Sequence, residues 1–369
     1  MKQGWTYQKV GRVFKTYSGG TPIKTHKEYY ENGNIPWIRS GEVCRKYITK
    51  SEKFITNSGL ENSSAKFFPI DTVLVAMYGA TAAQVGILKI KATSNQAVCG
   101  ILPNESFIPE FIYYWFKFIE SNLASQAQGG AQPNISQEKI KNVDIPIISL
   151  EEQQRIVEYL DAAFAQIDEL KANAEKQLSE ARALFQAALT QAMQPKLGWQ
   201  DFSFSQIIKL KSGDNLPAKS FVEGAYPVYG GNGIAGYHNQ YNKEGGQIVI
   251  GRVGALCGNV RLIKSPFWLT DNGFEVILDK EHKMDLPFLT YLLNFCNLRQ
   301  YARQAAQPVI SNVSLKDIQL NIPPLSEQQV IVEHLDALSN HVKELEEISC
   351  KTATECDALK QALLRQIFE

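Results

Sequence analysis

The sequence predicts an α+β protein made of two globular modules related by an internal repeat. Each module is followed by a long helix, and the two helices pair. Three observations carry this expectation. A block of sequence returns at a fixed offset of 175 residues. Each copy of the block opens onto a long heptad stripe. The stretches before it are short β-prone runs separated by Gly, Asn and Pro turns.

The repeat is densest at the helix starts. Ala131-Gln132-Pro133-Asn134-Ile135-Ser136 returns as Ala306-Gln307-Pro308-Val309-Ile310-Ser311. Glu152-Gln153-Gln154-Arg155-Ile156-Val157-Glu158-Tyr159-Leu160-Asp161 returns as Glu327-Gln328-Gln329-Val330-Ile331-Val332-Glu333-His334-Leu335-Asp336. Between 131–162 and 306–337 there are 17 identities in 32 ungapped positions. Upstream the echo weakens. Val73–Ala80 faces Ile248–Ala255 at the same offset, whereas Gly4-Trp5 and Ser18-Gly19-Gly20 return as Gly198-Trp199 and Ser212-Gly213-Asp214 at an offset of 194. The helices have kept their sequence and the modules have diverged.

In chain order, residues 1–149 form the first module. Strands are expected at Phe67–Val75 and Val85–Ile90, with one helix that has proline in its first turn from Pro109. Residues 150–194 are the first long helix. Ser149 and Glu152 have capping-box spacing, and the stripe runs Ile156, Leu160, Ala163, Ile167, Leu170, Ala174, Ala181, Leu184, Ala188 before Pro195 stops it. Residues 195–325 form the second module, with strands at Gln247–Val253 and Val260–Ile263 and a helix beginning near Pro287. Residues 326–369 are the second long helix, striped by Ile331, Leu335, Leu338, Val342, Leu345, Ser349, Thr352, Cys356, Leu359 and Leu363. Rods of about 65 Å follow from 1.5 Å per residue. An unpartnered rod of that length would leave its stripe in water, so the rods are expected to pair rather than each lie on its own module.

Net charge is zero, but it is unevenly placed. Residues 1–150 and 195–325 carry +6 and +3, whereas 151–194 and 326–369 carry −4 and −5. Basic modules are compatible with phosphate, and acidic rods suit protein partners. At 44% hydrophobic and 21% charged the composition is that of a globular protein. No apolar run resembles a signal peptide or a membrane span, so a cytoplasmic protein with no membrane partner is expected. Six scattered cysteines and five scattered histidines give no disulfide or metal framework.

Catalytic motifs are absent or broken. Gly231–Gly236 matches G-x-G-x-x-G formally, but Tyr237-His238-Asn239-Gln240 after it is poor helix material, so a glycine-rich loop is expected instead. Asn321-Ile322-Pro323-Pro324 departs from the Asn-Pro-Pro-aromatic pattern of amino-methyltransferases and reads as a rigid lead into the helix. There is no phosphate-binding loop and no nuclease pattern. The chain is expected to have no catalytic residues, no metal and no bound cofactor.

A Gln-Pro-x-Ile-Ser turn, a proline-bearing step and Glu-Gln-Gln-x-Ile-Val-Glu-x-Leu-Asp at the start of a long helix, all present twice, resemble the specificity subunits of type I restriction–modification enzymes. The resemblance spans nearly the whole chain. It implies two target recognition domains, each reading one half of a bipartite site in double-stranded DNA. It also implies rods paired as an antiparallel coiled coil that fixes the gap between half-sites and docks two adenine methyltransferase subunits. A motor-nuclease restriction subunit is an optional further partner. S-adenosylmethionine would belong to the methyltransferase, and ATP and Mg to the restriction subunit.

Reading bases needs Arg, Lys, Asn, Gln, Ser or Thr at base edges, usually on rigidly held loops. On that ground the DNA-binding candidates are Thr21, Arg39, Ser40, Tyr78, Thr81, Gln84 and Gln128 in the first module. In the second they are Lys211, Tyr229, Asn232, Arg252, Asn259 and Arg303. Arg39 and Arg252 stand first because arginine grips guanine in two-pronged fashion. Gly19, Gly79, Gly213 and Gly254 are assigned to backbone shape. The helix-start residues Glu152, Gln153, Gln154 and Ile156, with Glu327, Gln328, Gln329 and Ile331, are assigned to partner docking. The competing reading is a tandem DNA-binding adaptor or regulator outside restriction–modification that dimerises through its rods. A self-sufficient nuclease or methyltransferase lacks the motifs it would need.

Overall fold

The computed structural model describes residues 2–126, 134–279, 281–303 and 308–369. The chain divides into two compact units, one of residues 1–173 with 350–369, the other of residues 174–349. Each unit holds one module together with parts of both rods.

The first module contains the strands Thr6–Lys9 (β1), Thr16–Ser18 (β2), Ile35–Ile38 (β3), Tyr47–Ile48 (β4), Phe54–Ile55 (β5), Val73–Ala76 (β6), Val85–Leu88 (β7), Thr93–Ser94 (β8), Val98–Ile101 (β9) and Asp144–Ile147 (β10). They form a five-stranded sheet in the order β2-β9-β6-β7-β4, a three-stranded sheet β5-β3-β8, and the antiparallel pair β1-β10 that closes the module where the rod begins. Helix α1 (Pro109–Ser125) starts on its proline, whose missing N–H is not needed there. It presses Phe111, Ile112, Trp115 and Phe116 into the core, beside Val73, Val75, Val85 and Ile87 of the large sheet. The expected strand from Phe67 is shorter than predicted and begins at Val73. Pro69 has no N–H to offer a ladder, and Asp71 has φ +67°, a turn conformation that ends any extended run.

Helix α2 (Leu150–Ala192) follows, its start capped by Ser149, whose Oγ accepts from Glu152 N–H at 3.2 Å. The second module repeats the plan. Its strands are Gln200–Ser203 (β11), Ile208–Ser212 (β12), Tyr226–Gly230 (β13), Gly233–His238 (β14), Gln247–Gly251 (β15), Val260–Ile263 (β16), Trp268–Leu269 (β17), Gly273–Leu278 (β18) and Gln319–Ile322 (β19). The sheets are β12-β18-β15-β16, β14-β13-β17 and β11-β19. Helix α3 (Leu286–Phe295) is capped by Asp285, whose carboxylate accepts from Phe288 N–H at 2.9 Å. Gly231 and Asn232 form the hairpin turn between β13 and β14, and residues 233–236 of the glycine pattern lie in β14 itself, with Gly233 at φ +98°. The pattern opens onto a strand and not a helix, so no dinucleotide fold is present there.

Helix α4 (Leu325–Phe368) is the second rod. In the first unit it runs antiparallel to α2, with Lys360 paired to Asp168 and Lys171 to Asp357, and with Cys356 Sγ against Ile167 O at 3.6 Å. In the second unit Arg182 Nη2 lies 2.6 Å from Glu346, and Leu189 and Met193 share a core with Ile331 and Leu335. The α2 stripe holds at Ile156, Leu160, Ala163, Ile167, Ala174, Ala181 and Ala188, all buried or half-buried, and fails at Leu170 and Leu184, which are 58% and 57% exposed. At the intervening turns the half-buried side chains are Phe164, Lys171, Leu178 and Phe185. A helical seam can be continued by a step of three or of four. The step of four brings in the bulkier Phe164 and Phe185 and replaces the interrupting Gln177 by Leu178. In α4 the expected stripe holds except at Leu359, 49% exposed, where Lys360 turns inward over the Phe164 ring. The end of α4 completes the first core. Phe368 is buried, with its ring centroid 5.4 Å from Trp115, 5.5 Å from Phe118 and 5.9 Å from Phe111.

Candidate nucleic-acid interface

In each module a parallel strand pair sets the site. Trp37 and Ile38 of β3 lie beside Thr93 and Ser94 of β8, and Val228 and Tyr229 of β13 lie beside Trp268 and Leu269 of β17. Parallel strands finish at one edge, so the residues after them meet whatever their separation in sequence. Those residues are Arg39 and Ser40 in the first module, where Arg39 lines one cleft with Asn95 and Gln96, and Gly231 in the second, where an added Cβ would sit 3.1 Å from Asn272 O, with Asn232 and Asp271 their neighbours in sequence. A glycine crosses the edge in both. A Cβ on Gly19 would sit 2.2 Å from Ser94 O, and one on Gly213 would sit 2.3 Å from Leu269 O. The next residue is then held by the same bond, Gly20 N–H to Ser94 O and Asp214 N–H to Leu269 O, each 2.9 Å.

The edge of the first module opens into a cleft of about 760 Å³ that contains Thr21 and Arg39. The Thr21 hydroxyl donates to Gln96 Oε1. Arg39 is already engaged, with Nη2 2.8 Å from Glu52 and Nε 3.5 Å from Glu42. Lys24, Lys27 and Lys53 line the same cleft, are exposed, and have no acidic partner among the described residues. Sequence reading passes over these lysines. The basic run Lys24-Thr25-His26-Lys27, directly after the glycine crossing, is the signal that would have found two of them.

Tyr78, Thr81 and Gln84 lie outside the cleft, on the β6–β7 connection. Tyr78 bridges Asn134, the Thr81 hydroxyl donates to Tyr78 O at 3.2 Å, and the Gln84 side-chain oxygen is buried without a hydrogen-bond partner among the described residues. The matching β15–β16 connection carries Arg252 and Asn259. There Val253 bridges Val309, so the Tyr78–Asn134 contact recurs 175 residues on. Gly79 and Gly254, at φ +72° and +93°, turn the two connections. In the second module this connection meets the β13–β14 turn, with Asn232 Oδ1 accepting from Leu256 N–H at 2.9 Å. Arg252 packs over Phe274 at 5.2 Å and donates to Asp271 O at 3.3 Å, while its buried Nε has no partner among the described residues. The Arg303 side chain is exposed, and its N–H holds Val309 O at 2.9 Å. Tyr229 packs edge-on against Phe267, and Lys211 is exposed on β12, apart from this group. Gln128 lies outside the described residues.

The helix-start motif splits into an inward and an outward part. Gln153, Gln328, Ile156 and Ile331 are buried in their own units, which corrects the expectation that the whole motif faces a partner. Gln154 and Gln329 are exposed. Glu152 pairs with Arg155 at 2.7 Å. Glu327 pairs with Lys196 at 2.9 Å and accepts from Trp199 Nε1 at 3.1 Å, and these contacts, Lys196 foremost, hold its carboxyl below the usual range.

Beside each rod start a tyrosine hydroxyl donates to an aspartate, Tyr114 to Asp161 and Tyr291 to Asp336. Burial first, then the aspartate, pushes both phenols above their ordinary value, and burial pushes neighbouring Tyr113 up to about 12. Folded-state values raised above the unfolded one mean stability that is fully present below about pH 10 and lost as pH rises further. The thermal midpoint is therefore expected to fall above about pH 10, less steeply when Tyr114 and Tyr291 are both phenylalanine. A midpoint that stays level through that range would contradict these environments.

Residues 2–180 and 196–351 each match the family model described as the type I restriction modification DNA specificity domain. The chain belongs to that family. The EcoprrI specificity subunit of Escherichia coli is 27% identical over 368 residues, covering 93% of this chain and 90% of the relative. The EcoR124I/EcoR124II specificity subunit of the same organism is 32% identical over 160 residues, 42% of this chain and 40% of the relative. Among solved structures, a chain from work on complex assembly and conformational transition of the type I R-M system aligns with TM-score 0.79 at 19% identity, over 100% of this chain and 98% of that one. The HsdS subunit from Thermoanaerobacter tengcongensis aligns with TM-score 0.55 at 18% identity, over 100% and 97%. These two likenesses establish the fold. The chain is thus the DNA specificity subunit of a type I restriction–modification system, a non-catalytic component, rather than an adaptor outside such systems. Among the described residues of this specificity subunit no helix is long and apolar enough to cross a membrane, and no three His, Cys, Asp or Glu are grouped to hold a metal.

Proposed function

We infer that each module of this specificity subunit reads one part of a bipartite site in double-stranded DNA, and that the paired rods set the spacing and seat two methyltransferase subunits. The observation that carries this reading is the edge built twice. The same parallel pair, glycine crossing and bridged connection recur, but the side chains they present differ: Thr21, Arg39, Asn95 and Gln96 in one copy, Asn232, Arg252 and Asp271 in the other. One scaffold with different side chains suits two different half-sites. The twofold repeat of the rods suits two copies of one partner. The exposed Gln154 and Gln329, with Glu152 and Glu327, are the part of the motif open to that partner. Methyl transfer from S-adenosylmethionine would belong to the methyltransferase, and ATP- and Mg-dependent work to a restriction subunit where one joins.

The test is co-expression with the methyltransferase subunits of the same system, followed by mass measurement and genome-wide mapping of methylated adenines. The expected result is two methyltransferase copies per specificity subunit and methylation at one split, asymmetric sequence. Arg39→Ala is expected to relax one half of the site and Arg252→Ala the other, removal of each arginine fork reducing discrimination by about 1–3 kcal/mol. Methylation at an unsplit sequence, or both halves relaxing together, would overturn the division of labour.

A further inference from the structure

The helix-start motif is repeated more faithfully than anything in the modules, yet its central glutamine is hidden. Gln153 is 0% exposed and Gln328 1%. The two amides perform the same task in separate places. Gln153 Oε1 accepts from Ile108 N–H at 2.9 Å, and Gln328 Oε1 accepts from Asp285 N–H at 2.9 Å. Ile108 and Asp285 hold the N-cap positions of α1 and α3. The amide nitrogens donate to the chain leading into each rod, Gln153 to Ile148 O at 3.1 Å and Gln328 to Pro323 O at 2.9 Å. Gln153 also reaches Ser106 O at 2.9 Å. A second grip lies further along the same two helices, where Tyr114 donates to Asp161 and Tyr291 donates to Asp336 at 2.6 Å.

The register of these grips separates them from ordinary packing. The rod partners, 153 with 328 and 161 with 336, are 175 apart, whereas the module partners, 108 with 285 and 114 with 291, are 177 apart. The modules have changed length relative to the rods, and both grips have stayed in step. Along a module helix the grips are about 9 Å apart, and along the rod about 12 Å. One attachment is a pivot; two attachments on a line define a direction. Apolar contacts around them are non-directional and tolerate sliding, while hydrogen bonds weaken steeply off their axis. Glutamine suits the first point because one side chain must accept and donate together in a buried place. A carboxylate could not donate, and leucine would leave the polar backbone unpaired.

We propose that Gln153 with Asp161, and Gln328 with Asp336, are positioning residues that fix the tilt of each recognition module on its own rod and so hold the gap between half-sites to one length. This rests on the bipartite reading above. At the far side of a domain about 30 Å across, a swing of about 6–7° moves the reading edge by one base-pair rise, about 3.4 Å. A loosened grip therefore changes which gaps are tolerated and leaves the bases read within each half unchanged.

The experiment uses the assembled methyltransferase complex with Tyr114→Phe, Gln153→Leu and both together, and the matching Tyr291→Phe and Gln328→Leu set. Methylated adenines are mapped on DNA libraries that carry the site with gaps of varied length. In the double variants, methylation at gaps one base pair longer or shorter is expected to rise about tenfold relative to the native gap, with half-site preferences unaltered. Strict gaps in a folded double variant, or altered base preferences with an unaltered gap, would overturn the proposal. Should Gln153→Leu or Gln328→Leu fail to fold, the phenylalanine variants, which each remove one oxygen and keep the ring, decide it. They must widen the gap in the same sense or the proposal falls. Failure of the bipartite reading is a separate result, seen in the unsubstituted chain as methylation without a fixed gap.

Discussion

Phe368→Ala is expected to destabilise the first unit by about 3–5 kcal/mol, the loss typical of a buried phenylalanine cut to alanine. The ring sits among Trp5, Phe111, Trp115 and Phe118, so its removal leaves a cavity walled by aromatic groups that cannot collapse without shifting α1. Lys2 Nζ also donates to Ile367 O at 3.0 Å, so the same change loosens the start of the first module. Hydrogen exchange should show this as reduced protection in α1 and the last turn of α4, with peptides of residues 174–349 unchanged. Protection retained in α1 would mean that the module holds together without this closure.

Replacing Lys24, Lys27 and Lys53 together by glutamine is expected to weaken DNA binding by the complex roughly 10–100-fold at physiological salt. The slope of log affinity against log salt should flatten by about 2.7, which is 0.9 for each phosphate no longer neutralised. The weakening should be uniform over different sequences, because phosphate contacts position and do not specify. Equilibrium binding at several salt concentrations, on cognate and unrelated duplexes, measures both. An unchanged salt slope would remove the cleft from the DNA path. Arg39 is left out of this set because Glu42 and Glu52 already neutralise it; its contribution, if it reads a base, is directional rather than electrostatic.

The rods, their partnership and the proline-led helices are legible in the sequence because each rests on a local signal. Heptad periodicity announces the rods, and a proline before an apolar run announces α1 and α3. The frame of the α2 stripe is not legible at Leu170 and Leu184, because hydrophobicity alone cannot choose between neighbours such as Leu184 and Phe185; the facing helix chooses. The cleft is illegible for another reason. Arg39 and Asn95 are 56 positions apart and meet only because β3 and β8 pair in parallel, a non-local contact of two short strands with no sequence mark of its own. The glutamines of the helix-start motif show the opposite failure. Their pattern is plain, but whether a polar residue at a helix start faces a partner or its own core depends on what lies over it. Here α1 and α3 lie over it, and Gln153 and Gln328 turn inward.

The first unit is discontinuous, made of residues 1–173 and 350–369, and this gives the protein a timetable. On a ribosome adding about 5–20 residues per second, residues 174–349 take roughly 9–35 s to make, and only then does the segment that finishes the first unit begin to emerge. Through that interval Phe111, Trp115 and the inner stripe of α2 have no Leu364 or Phe368 to cover them. The module translated first is therefore the last to be sealed, and through that interval the nascent chain exposes apolar surface of the kind that chaperones bind.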